Sequence, residues 1–253
     1  MQSKLISESE IQEMLQFTSV SHAAAWLKRT PEYAKAWADL DENSLHRGQI
    51  EKLLKASIFK DFSKIYQFAN PEQRKFLDLY SRRYEIRVLK EIMTNLFDHK
   101  STDAVDVSPY CDFFRRHSKL DLDRLTACTT MDEFINTLKG NEFYVPLSRI
   151  QNHDTALLFD YGMALDLYYF FMIWNVRKKL FSGKDLEQIT TAYGEKFDML
   201  NLQFISRSKR YFSMAPADIY ALLIPMNYKL KKEEITALVE ASTREEAQQI
   251  FRK

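Results

Sequence analysis

Along most of this chain the apolar side chains recur every three or four residues, the period of an amphipathic helix, and the alternation of a half-buried strand is hard to find. Tyr193–Tyr211 carries the clearest stripe. On a helix Phe197, Leu200, Phe204, Ile205, Tyr211 and the following Phe212 share one broad sector, with Gln203, Ser206, Lys209 and Arg210 facing the other way. Asn201 and Ser208 fall inside the apolar sector. A buried Asn costs roughly 1–3 kcal/mol unless hydrogen-bonded, so Asn201 is expected to hold a backbone group of a neighbouring element.

The same spacing predicts helices along the whole chain. Ser7 or Ser9 caps a first one running to about Phe17, and Ser19 or Ser21 caps a second that Thr30-Pro31 ends. Gln49–Phe68 follows, with Ile50, Leu53, Leu54, Ile58, Phe62 and Ile65 inward, and Pro71 opens the next at a first-turn position. Short helices are expected near 110–117 and 121–127, one after Thr130, then long ones over about 154–181 and 185–212. Pro216 opens a helix that Pro225 stops, and a last one begins after Lys229. Leu40–Gly48 and Asp98–Pro109 read as polar loops.

Parts of this pattern occur twice. Tyr80–Met93 (YSRRYEIRVLKEIM) matches YGEKFDMLNLQFIS from Tyr193 at an offset of 113, placing Tyr80 on Tyr193, Tyr84 on Phe197, Glu85 on Asp198 and Leu89 on Leu202. Ser19–Tyr33 matches Thr130–Tyr144 at 111, and Gln49 onward matches Ala164 onward at 115. A third copy opens near the end, with Thr243 on Thr130. The expected fold is therefore all-α, in tandem pseudo-repeated lobes: 1–105, 106–228, and the start of an incomplete third over 229–253. A third copy cut off so early is expected to leave Ile235, Leu238, Val239 and Ile250 partly uncovered.

Composition changes the picture little. Gly 5 and Pro 6 in 253 residues suit long helices, and Lys+Arg 36 against Asp+Glu 35 gives no global pull toward nucleic acid. Cys111 and Cys128 lack metal or redox spacing and read as reduced thiols. No signal peptide opens the chain, and the most apolar run, Tyr168–Trp174, is too short to span a bilayer, so a soluble protein with that helix buried on several sides is expected.

Catalytic chemistry needs groups that converge. The histidines His22, His46, His99, His117 and His153 have no paired spacing, Ser182-Gly183-Lys184 lacks the rest of a phosphate loop, and Asp160 and Asp166 point apart on a helix. No catalytic, cofactor or metal site is expected. Two basic clusters, Lys209 and Arg210 after Arg207, and Lys229, Lys231 and Lys232, are candidate docking positions for an acidic partner or a plain solvated face.

FDMLNLQFISRSKRYFSMAPADIYALLIPMNYKLKKEEITALVEA resembles the signature region of the C subunits of bacterial and archaeal V/A-type rotary ATPases, the counterparts of the d subunits of the eukaryotic machines. The likeness lies in an aromatic-acid-x-x-Asn-Leu stretch at Phe197, Asp198, Asn201 and Leu202, then Arg207, Tyr211, Pro216, Ile219 and Ile224-Pro225. Tyr84, Glu85, Ile86 and Leu89, and Leu27, Thr30 and Tyr33, carry it into the first copy. This resemblance implies three helical lobes forming a funnel that sits on the membrane rotor ring and grips the central stalk, passing torque without chemistry while protons or sodium ions are moved. It implies no cofactor, no nucleic acid, no direct membrane insertion, and a cytoplasmic place peripheral to the inner face of the membrane. Relative to that pattern the chain looks shortened at both ends. A helical adaptor of another assembly fits the repeat equally well, while a hydrolase or transferase lacks a visible nucleophile and base.

Overall fold

Helix ends and helix faces explain most of the architecture. In the computed structural model, residues 6–37, 41, 43–98, 107, 111–151, 156–241, 246 and 250 are described. Every regular element among them is helical: α1 (Glu8–Met14), α2 (Val20–Arg29), α3 (Pro31–Trp37), α4 (Arg47–Phe68), α5 (Pro71–Phe97), α6 (Cys111–His117) and α7 (Leu122–Thr126). The order continues with α8 (Met131–Thr137), α9 (Tyr144–Gln151), α10 (Leu158–Leu180), α11 (Gly183–Arg207), a π-helical turn (Ser208–Phe212), α12 (Pro216–Leu222) and α13 (Lys232–Glu240). The start signals work as expected. Ser7 and Glu10 form a capping box on α1, and Pro71 and Pro216 open α5 and α12, where a missing N–H costs nothing. Helix α1 ends at Met14, a turn short of Phe17.

Contacts divide the chain into two compact units: Met1–Asn70 with Asp106–Leu122, and Pro71–Val105 with Asp123–Lys253. The division does not follow the sequence lobes, because α5 lies within residues 1–105 yet packs along α10. Inside the first unit Ala24, Leu27, Trp37 and Ile50 form one core. A second apolar contact joins α4 to α6, where the Phe113 ring meets Phe59 at a tilt (5.5 Å) and Phe62 edge-on (5.0 Å), and the His117 ring centre lies 4.1 Å from that of Tyr66. Ile58 and Ile65, expected inside, are 50 % and 41 % exposed. Helix α4 offers two adjoining apolar stripes, and the position of Phe113 buries the one carrying Phe59 and Phe62; the period alone does not choose between them.

The second unit is built on α5, α10 and α11. Ile86, Leu89, Ile92 and Met93 of α5 and Leu165, Tyr169 and Ile173 of α10 are buried. Within Tyr168–Trp174 several residues are buried while Phe171 stays 55 % exposed. Arg177 secures α10 to α11: its guanidinium lies 3.4 Å from the centre of the Trp174 ring, and it donates to the Thr190 hydroxyl (3.2 Å) and the Trp174 carbonyl. Helix α9 is not expected from the sequence. Pro146 obscures it, but the proline falls in the first turn, where it is tolerated, and Leu147 anchors the helix in the core. The apolar face of α13 is also covered, contrary to expectation: Ile235, Leu238 and Val239 are buried against Ile205 and Ile219. Helices α11 and α12 supply that cover, a tertiary pairing that helical periodicity does not reveal.

Element order does not contradict the repeat: α2, α3, α4 and α5 come before α8, α9, α10 and α11. Ser19 and Thr130 each cap their helix by accepting the N–H of the residue three further on, His22 and Glu133. Asp98–Pro109 and the end of the third copy lie almost wholly outside the described residues.

Candidate functional site: a backbone clasp on helix α11

One face of α11 carries Thr191, Gly194, Glu195, Asp198 and Asn201 at helical spacing, and it holds residues 224–230, an irregular segment without backbone partners of its own in a helix. Asn201, 0 % exposed, does what its position in the apolar stripe demands. Its Oδ1 accepts the Ile224 N–H (2.8 Å) and its Nδ2 donates to the Ile224 carbonyl (3.0 Å). One turn earlier the Asp198 carboxylate accepts three consecutive backbone N–H groups: Tyr228 (3.1 Å), Lys229 (2.6 Å) and Leu230 (3.0 Å). This charge-assisted nest satisfies the buried acid with backbone donors. Thr191 and Tyr228 share a hydroxyl hydrogen bond of 3.0 Å, and the Lys229 ammonium reaches Glu195 at 2.7 Å.

Gly194 completes the clasp. A Cβ there would lie 2.7 Å from the Tyr228 Cβ and overlap its ring. Gly194→Ala is expected to destabilise by about 1–3 kcal/mol, through displacement of Tyr228 that outweighs the gain in helix propensity. Urea unfolding checks this, and in a Tyr228→Gly background, which removes the clashing Cβ together with the ring, the same change should be neutral or stabilising. The sequence signal for this contact is a glycine in the interior of a strongly helical pattern.

Among the other motif positions, Phe197 is fully buried, against Phe170 (5.2 Å) and Trp174 (5.6 Å). Leu202 packs on the Ile205, Ile219 and Val239 core, and Arg207 is exposed at the end of α11. Tyr211 and Phe212, expected in the apolar sector, are 63 % and 67 % exposed. Here the helix changes from α to π at Ser208; the wider turn keeps Ser208 buried and rotates the aromatic pair outward. Ser213, at φ 47°, ends the turn in the left-handed region.

The docking candidates do not behave alike. Lys209 is turned inward and its Nζ donates to the Ala241 carbonyl at 2.5 Å, which ties the π turn to the end of α13. Lys229 is occupied by Glu195, whereas Arg210, Lys231 and Lys232 are exposed. Arg210 lies over the Tyr211 ring at 5.1 Å.

Other polar contacts of the second unit are structural. Arg82 bridges Glu142 (2.6 Å) and Glu85 (3.4 Å), and the Tyr168 hydroxyl donates to Glu142 at 2.8 Å. Burial, reinforced by that hydrogen bond, pushes the Tyr168 phenol far up from its ordinary range. Asp160 caps α10 through the Leu157 N–H (2.8 Å), and Asp166 pairs with Lys90 (2.6 Å). Among the described residues no three His, Cys, Asp or Glu side chains are grouped to hold a metal ion. No helix among them is long and apolar enough to cross a membrane.

Cys128 is buried, and its thiol contacts the Arg124 carbonyl (3.3 Å) and Thr137 (3.6 Å). Burial raises its pKa, so the nucleophilic thiolate is scarce. The Cys128 peptide should remain unlabelled by a thiol reagent in the native chain and label fully in denaturant, as read by mass spectrometry.

Comparison with known proteins adds the family. The family model described as ATP synthase (C/AC39) subunit matches residues 1–253. The chain is 21 % identical over 243 residues to the C subunit of the A-type ATP synthase of Methanothermobacter thermautotrophicus, covering 94 % of this chain and 59 % of that protein. It therefore spans about three fifths of the length of that relative.

Proposed function

The chain belongs to the ATP synthase (C/AC39) subunit family, and from that premise we propose that it is a non-catalytic coupling subunit of a V/A-type rotary ATPase or ATP synthase. In this reading it forms a socket between the membrane rotor ring and the central stalk and passes torque while protons or sodium ions cross the membrane. It sits at the cytoplasmic inner face of the membrane, held there by the complex rather than by a span of its own. The observation that carries the reading is the family match along all 253 residues.

The clasp supports it physically. A part that transmits load needs irregular backbone held in one conformation, and the five backbone hydrogen bonds from Asp198 and Asn201 fix residues 224–230 to a long helix. The buried acid and amide are consumed by that structural work, which leaves them without a role in chemistry.

The test is reconstitution. The purified chain is mixed with the central-stalk subunits and, separately, with the detergent-solubilised rotor ring. Stable complexes with both are expected; failure to bind either overturns the reading.

A further inference from the structure

The match that places Tyr80 on Tyr193 also places Arg83 on Lys196, at the same offset of 113. These two cations, from α5 and α11, come into electrostatic range of one another within the second unit. Each rests on aromatic faces. The Arg83 guanidinium lies 5.1 Å from the Tyr80 ring centre and 5.4 Å from that of Tyr84, and it donates to the Tyr80 hydroxyl at 2.7 Å. The Lys196 ammonium lies 5.8 Å from the Phe170 ring and 5.9 Å from that of Tyr193.

Neighbouring cations are paired with acids: Arg82 with Glu142, Lys90 with Asp166, and Lys229 with Glu195. Arg83 and Lys196 have no carboxylate within ion-pair distance among the described residues. Asp166, the acid that acts on Lys196 from a distance, is already held by Lys90 at 2.6 Å. Burial and then the charge of Arg83 push the Lys196 ammonium down from its ordinary value, with Asp166 acting against them.

We propose that Arg83 and Lys196, floored by Tyr80, Tyr84, Phe170 and Tyr193, form a cradle for a carboxylate carried on an acidic segment of a partner subunit. The inference rests on the coupling role argued above and names residues for it. A carboxylate fits better than a phosphate because the donors are two side-chain cations in helix interiors, with no backbone N–H groups of a helix start or glycine loop to wrap three anionic oxygens. The aromatic floor holds both exposed cations in place by cation–π attraction.

Two measurements test it. Lys196 acylation by acetic anhydride, followed by peptide mass spectrometry, is timed with poly-L-glutamate or with inorganic polyphosphate present. Poly-L-glutamate should slow it about tenfold, and Arg83→Gln should abolish that protection. No protection, or stronger protection by polyphosphate, overturns the carboxylate assignment. In the second, Arg83→Gln and Lys196→Gln should each weaken binding to the central-stalk subunits about tenfold without shifting the thermal melt. Unchanged affinity in both variants overturns the cradle and leaves the coupling role standing. If the unaltered chain binds no stalk subunit, the coupling role fails, and the poly-L-glutamate measurement decides the cradle alone.

Discussion

Asp198→Ala is expected to lower the unfolding free energy by about 3–5 kcal/mol, the largest single-residue loss in the clasp. Asp198 is 8 % exposed, and its carboxylate accepts three successive N–H groups, those of Tyr228, Lys229 and Leu230. Hydrogen bonds to a charged group contribute roughly 1.5–3 kcal/mol each, and alanine supplies no acceptor. Part of the loss is recovered as the released amides turn to water. Asp198→Asn keeps the shape but offers one acceptor oxygen where two are used, so it should fall between the wild type and alanine. Urea unfolding measures the total, and amide hydrogen exchange at Tyr228, Lys229 and Leu230 locates it. A loss under about 1 kcal/mol with those amides still protected would mean that the segment is held by something else.

Asn201→Leu should cost about 2–4 kcal/mol. Leucine is close in volume and suits the apolar stripe, so burial of the new side chain works in favour of the variant. Against that stand two stranded backbone groups, the Ile224 N–H and carbonyl, both buried. Each unsatisfied group costs roughly 1–3 kcal/mol, which outweighs the apolar gain. Because Asp198 and Asn201 hold the same short segment, the double variant should lose less than the sum of the two, and a double-mutant cycle reads the coupling directly. A melt indistinguishable from wild type would remove the buried hook.

The helices are legible in the sequence because their signals are local. Ser7, Ser19 and Thr130 cap helices that carry apolar stripes, and Pro31, Pro71 and Pro216 punctuate them. The need for a partner at Asn201 is also legible, since an amide buried in an apolar stripe must be hydrogen-bonded to be tolerated there. Its partner is not, because Ile224 lies 23 residues away and the pairing is tertiary. Asp198 is readable only as a motif letter: nothing local tells a surface acid from one that caps three backbone groups some thirty residues on. The outward turn of Tyr211 and Phe212 escapes for a related reason, since a π turn departs from the 3.6-residue period by which an apolar stripe is recognised. Likewise, Lys209 looks like part of a solvated basic run until α13 brings the Ala241 carbonyl to it.

The coupling role is tested most directly in a reconstituted rotary complex assembled with and without this chain. ATP hydrolysis by the catalytic head and ATP-driven ion uptake into vesicles are measured side by side. Without the chain, hydrolysis should persist while ion uptake is lost, and adding the purified chain should restore uptake. Ion uptake that proceeds unchanged in its absence, or ATP turnover by the isolated chain, would contradict the account.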